Sequence, residues 1–143
     1  MLVFNKYLQE LGYKKSDFTD SKDSRYKLDK ERGVVEAQTW NFGTTIILEL
    51  YTYFRDFQDN YMKIATPVFF VEKWEDNQIK HIDGGEKEWH KIIQKIIDGL
   101  KAYLLAEEMF PCKDEEREEQ DKLYKQFDEA WNLIGEYMGC FWW

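Results

Sequence analysis

Proline, cysteine and histidine are scarce, with two of each in 143 residues. Only Pro67 and Pro111 lack the backbone N–H that a helix interior requires, so long stretches are left free to coil. Cys112 and Cys140 form neither a CxxC pair nor a zinc spacing, and in a reducing compartment they are read as free thiols. No GxSxG elbow, GxxxxGK[ST] loop or GxGxxG turn occurs, which closes the motif-based routes to a hydrolase, an NTPase or a dinucleotide enzyme. No apolar run approaches the ~18 residues of a membrane span. The opening "MLVFNKYLQELGYKK" also lacks the order of a signal peptide, so the expectation is a cytoplasmic protein without membrane contact.

Aromatic residues, by contrast, are abundant: 6 Trp, 9 Tyr and 10 Phe. Each buried ring removes roughly 150–250 Å² from water, so a ring-rich core in one domain spanning 1–143 is expected. Charge is uneven. Residues 5–32 carry eight Lys/Arg against six Asp/Glu, whereas residues 107–129 carry ten Asp/Glu against four Lys/Arg, most of the net −8. Such a surface repels nucleic acid and is steered toward basic protein surfaces, so direct nucleic-acid binding is not expected.

Apolar periodicity predicts a mainly α fold: a bundle of three long helices behind a short one. Leu2 or Phe4, Leu8 and Leu11 form a short stripe ending at Gly12, where a left-handed cap belongs. Residues 14–31 read as a solvated loop. Trp40, Gly43, Ile47, Leu50, Phe54, Phe57 and Tyr61 form the central helical face, with Thr39 as N-cap. Trp89, Ile92, Ile96, Leu100 and Tyr103 define the next helix, with Asp83 and Glu86 spaced as a capping box. Leu123, Phe127, Trp131, Ile134 and Met138 define the last. Between Met62 and Gly85 the period is lost. Two β-prone runs flank "EDNQ", giving either a small β-hairpin at about 67–82 or a long loop, and the absence of glycine in the turn weighs against the hairpin.

Four groups of side chains have the composition of sites. Glu115, Glu116 and Glu119 spell EExxE, the arrangement with which all-α nucleotide pyrophosphohydrolases hold magnesium, but the ExxD half of that pattern is missing downstream. An acidic first helical turn, favoured by the helix dipole, explains the same residues without metal. His81, Asp83, Glu86 and His90 are ligand types within ten residues, yet they match no structural zinc spacing, and surface histidines account for them. Tyr13, Lys14, Lys15, Arg25, Tyr26, Lys27, Lys30 and Arg32 interleave base and ring, but acidic residues are mixed in throughout. Trp40, Trp89 and Trp131 are candidates to line a ligand pocket between bundle helices.

At "TWNF", "IIDGL" and "LIGEYMGCFWW" the chain resembles a family of small uncharacterised proteins encoded by tailed phages. The matching positions are Thr39, Trp40, Pro67, Trp89, Ile96, Ile97, Gly99, Leu100, Leu133, Tyr137, Met138, Phe141 and Trp142. The resemblance implies a phage or prophage gene and carries no activity. By analogy with DNA-mimicking inhibitors of restriction or CRISPR effectors, it implies a protein that blocks host machinery.

The leading expectation is therefore a non-enzymatic binding protein without cofactor. Glu115, Glu116, Glu118, Glu119 and Asp121 would engage a basic host surface, with Tyr124 or another exposed aromatic as anchor. A magnesium-dependent nucleotide hydrolase using Glu115, Glu116 and Glu119, and a small-ligand sponge, are the alternatives. The apolar end "CFWW" is expected to fold onto the central helix through Phe141 and Trp142 near Trp40 and Gly43, with Gly135 and Gly139 allowing close helix approach.

Overall fold

The computed structural model describes residues 2–20, 22–62 and 64–141. Among these there are six α-helices and two short antiparallel strand pairs, so the protein is mainly helical. The chain divides into two compact units, Met1–Tyr53 and Phe54–Trp143.

In the first unit, α1 (Lys6–Glu10) starts later than the apolar stripe suggests, because Asn5 caps it. The Asn5 side chain accepts the Tyr7 and Leu8 backbone N–H groups at 3.0 and 3.2 Å. Gly12 adopts φ +92° as expected of a left-handed cap, and Tyr13 N–H closes back onto the Leu8 carbonyl at 3.1 Å. Residues 14–20 and 22–31 are mostly exposed but are ordered into turns, not an open loop. Asp20, Asp23 and Asp29 each accept a backbone N–H two residues on, the local bond that makes aspartate a turn former. A two-residue ribbon follows, β1 (Leu28–Asp29) against β2 (Val34–Val35).

The central helix is two helices, α2 (Glu36–Trp40) and α3 (Phe42–Asn60), with Asn41 leaving helical geometry between them. Thr39 does not cap; its hydroxyl donates back to the Val35 carbonyl at 3.2 Å, as mid-helix threonines do. The expected face is buried at Ile47, Phe54 and Phe57 but fails at its ends, where Trp40, Gly43 and Tyr61 are exposed. Leu48 and Tyr51 take the places that the break shifts.

The second unit is built on α5 (Gly85–Glu108) and α6 (Arg117–Tyr137), which run antiparallel. Pairs at 89 with 137, 103 with 127 and 107 with 124 follow one another down the two helices. Trp89, Ile92, Ile96 and Leu100 are buried as the period demands, joined by Ile93, Ile97 and Leu104. The capping box does not form: the N-cap of α5 is Gly84 at φ +80°, with no side-chain bond. Close helix approach occurs at Gly99 against Ala130, whereas Gly135 and Gly139 have open space where a side chain would be. Along α6, Ala130 and Ile134 are buried, but Trp131 and Met138 face outward.

Trp89 is the centre of the ring cluster and has no exposed surface. Phe70, Phe141, Tyr137 and Phe57 surround it at centroid distances of 5.3, 5.6, 5.8 and 6.4 Å, and its indole N–H donates to the Ala65 carbonyl at 3.1 Å. Phe141 does fold back, onto Trp89 and onto Phe54 of α3 at 5.0 Å, several turns beyond the expected Trp40 and Gly43. Trp142 lies outside the described residues.

The hairpin exists. One helical turn, α4 (Val68–Val71), precedes β3 (Glu72–Glu75) and β4 (Gln78–His81). Asp76 and Asn77 form the turn at φ +53° and +56°, a left-handed pair that supplies the twist a two-residue loop needs. Aspartate and asparagine tolerate this region, which is why glycine was not required.

Candidate functional site

The acidic segment begins after Pro111 with a single 3₁₀ turn, Asp114–Glu116, that leads directly into α6. Glu116 turns its carboxylate back to the Lys113 backbone N–H at 3.4 Å. Gln120 donates from Nε2 to the Ala106 carbonyl at 3.0 Å and pins the helix start to the end of α5. The segment is therefore held by its two neutral or inward-turned members, and the remaining carboxylates project outward. Asp114, Glu115, Glu118, Glu119 and Asp121 are exposed, while Glu116 is half-buried.

Residues 114–122 contain six carboxylates and two cations. Arg117 pairs with Asp114 at 3.0 Å and Lys122 with Glu118 at 2.9 Å, exposed ion pairs worth ~0–1 kcal/mol each. Glu115, Glu119 and Asp121 have no ion pair among the described residues. Among the described residues no group of three His, Cys, Asp or Glu side chains is arranged to hold a metal ion, which applies equally to His81, Asp83, Glu86 and His90.

Tyr124 is half-buried between the helices. Its hydroxyl donates to Glu107 Oε1 at 2.7 Å, and its ring meets Tyr103 edge-on at 6.2 Å. The bond to the Glu107 carboxylate, reinforced by burial, pushes the Tyr124 pKa up to about 12. A raised tyrosine pKa favours the protonated folded state, so this contribution is complete below the ordinary value near 10 and is lost as pH rises through about 12. Unfolding midpoints measured from pH 9 to 12 are expected to fall less steeply for Tyr124→Phe than for the parent; identical slopes would show that the bond carries no stability.

Phe110 is 80% exposed at the head of the acidic segment, whereas Tyr124 is half-buried, and nothing in the sequence singled out Phe110 because it lies outside any periodic stripe. The two arginines of the first unit are neutralised in place. Arg25 pairs with Asp23 at 2.6 Å and Arg32 with Asp29 at 2.7 Å, and these arginines hold both carboxyls below their usual range. The three indoles proposed to line a pocket are separated by burial: Trp89 is enclosed, whereas Trp40 and Trp131 face solvent, and a ring without exposed surface cannot line an open pocket.

A second surface went unnoticed in the sequence. Trp74 and Ile79 are direct cross-strand partners, and both are exposed, at 70% and 63%. Alternation along the two strands was the available signal, since Trp74 and Ile79 share one face with Glu72 and His81.

These features define a mainly helical protein with a helix-start acidic surface and an exposed aromatic hairpin, in which no helix among the described residues is long and apolar enough to cross a membrane. Comparison with protein-family models, curated proteins and solved structures finds no match to this chain.

Proposed function

We propose that this chain is a non-enzymatic binding protein whose acidic segment engages a basic surface on a protein of a nucleic-acid-handling or defence complex, in the cytoplasm of a bacterial host. The observation that carries the proposal is the set of Glu115, Glu119 and Asp121, three exposed carboxylates without a neutralising cation at a pinned helix start. Unpaired charge on a rigid element steers encounter without first breaking internal ion pairs. Glu116 and Glu118 extend the surface, and Phe110 supplies the apolar contact that charge alone does not provide. The resemblance to tailed-phage proteins supports a host-directed role. The arrangement of α3, α5 and α6 as one bundle belongs to the same proposal, supported by Phe57 against Trp89 and by Gln58 Nε2 donating to Gln94 Oε1 at 2.7 Å.

The test is a parallel capture from nuclease-treated bacterial lysate with the parent and with Glu115→Lys/Glu119→Lys/Asp121→Lys. A stoichiometric nucleic-acid-handling protein retained by the parent, released as salt screens the contact and absent from the triple variant is the expected result. Equal retention by a folded triple variant, or nothing retained by the parent, would refute it.

A further inference from the structure

We propose that the first unit carries a binding cleft for an organic cation, an ammonium or guanidinium head group, independent of the acidic segment. The cleft has a volume of about 230 Å³. That is below the ~300 Å³ at which pockets for drug-sized ligands begin, and it suits a head group. Tyr13, Phe18 and Tyr26, all half-buried, provide aromatic walls, with Tyr13 edge-on to Phe18 at a centroid distance of 5.6 Å. Aromatic faces carry negative quadrupole potential and attract cations, best when several rings converge.

Among the described residues, Asp17 is the single Asp, Glu, Lys, Arg or His of the lining. One of its oxygens, Oδ2, accepts the Lys14 backbone N–H at 2.7 Å, which fixes the carboxylate on its 3₁₀ turn. It makes no ion pair among the described residues. The flanking Lys14, Lys15 and Arg25 are outside the lining, and Arg25 is already committed to Asp23. An anion in the cleft would meet Asp17 without a compensating cation, whereas a cation would meet a carboxylate and aromatic rings.

The opposite wall is held in place before any ligand arrives. Both ends of the Gln38 amide are fixed on the Leu2 backbone, Oε1 accepting the N–H at 3.2 Å and Nε2 donating to the carbonyl at 2.7 Å. Thr45 in turn donates from its hydroxyl to the Gln38 carbonyl at 3.1 Å. A fixed wall lowers the ordering cost of binding.

The probes are tetramethylammonium and N-acetyl-arginine amide, titrated into the full chain while backbone amide NMR shifts are followed. 3,3-Dimethylbutanol serves as the neutral shape control and sodium chloride as the ionic-strength control. Saturable shifts confined to residues 13–18, 26 and 37–48, from at least one cation and not from either control, are expected. Preference for tetramethylammonium would point to a free quaternary amine, and preference for the arginine derivative to a basic side chain. Asp17→Asn, which keeps the oxygen that caps Lys14, and Tyr26→Leu are each expected to weaken binding about fivefold or more, as loss of a charge or ring contact should. Equal shifts from the neutral control, shifts no larger than those of sodium chloride, or unchanged affinity in both variants would overturn the assignment.

Discussion

Replacing Trp89 with alanine is expected to destabilise the Phe54–Trp143 unit by about 3–5 kcal/mol, the range for truncating a large buried ring. Trp89 is fully enclosed, and four rings from three stretches of chain converge on it: Phe57, Phe70, and Tyr137 with Phe141. Truncation would leave all four with lost contacts at once, and the surrounding structure relaxes only partially into such a cavity. Trp89→Phe separates packing from hydrogen bonding. It keeps most of the ring but leaves the buried Ala65 carbonyl without its indole donor, at a cost of about 1–3 kcal/mol. Urea unfolding followed by far-ultraviolet circular dichroism measures both without relying on the deleted fluorophore. An alanine variant with the parent's midpoint would mean that the ring cluster is not the core of this unit.

The second large effect is a reversal of sign between two helical glycines. Intrinsic helix propensity favours alanine over glycine by about 1 kcal/mol, so Gly→Ala in a helix ordinarily stabilises. At Gly99 of α5 the opposite is expected. A Cβ there would overlap the Ala130 side chain of α6 and lie 2.8 Å from the Gln126 carbonyl oxygen, so the helices must separate. Overpacking of this kind costs about 1–3 kcal/mol for Gly99→Ala, and more for Gly99→Val. Gly135 of α6 has nothing within 4 Å of the same position, and Gly135→Ala is expected to raise the melting temperature. Thermal unfolding of the two alanine variants side by side decides the matter; a shift of the same sign in both would remove the claim that α5 and α6 are in contact at Gly99.

The core of α5 was legible because a helix repeats every 3.6 residues whatever surrounds it. The spacing of Trp89, Ile92, Ile96 and Leu100 alone identified residues that are buried. Gly12 was legible for a similar reason, since a left-handed cap excludes most side chains. The break at Asn41 was not. The stripe from Trp40 to Tyr61 continues through it in sequence, and only the backbone change at one residue turns Trp40 outward. The Asp76–Asn77 turn was underestimated because glycine is the stronger signal for positive φ, although both residues adopt it here.

Of the acidic segment, position and charge were open to reading from composition. Which carboxylates remain unpaired was not, because Arg117 and Lys122 had a choice of partners within one turn, and side-chain geometry made it. Tyr124 shows the same division. Its chemistry is local, but its hydroxyl is engaged by Glu107, a residue of another helix. The cation cleft had no signature in the chain, since Asp17 and the rings come from residues 13–26 and the fixed wall from residues 37–48.

By itself, then, the sequence determined what repeats or accumulates locally: helical class, the buried face of α5, the cap at Gly12 and the place of the negative charge. Those properties depend on neighbours within about one helical turn, a range over which side-chain spacing and backbone preference act directly. Tertiary structure alone decided that Gly99 and not Gly135 is the point of close approach, that Trp89 collects rings from three stretches, and that Asp17 lines a cleft together with aromatic rings. Each of these depends on groups brought together by packing within its own unit, where excluded volume and burial choose among pairings that local preference leaves equal.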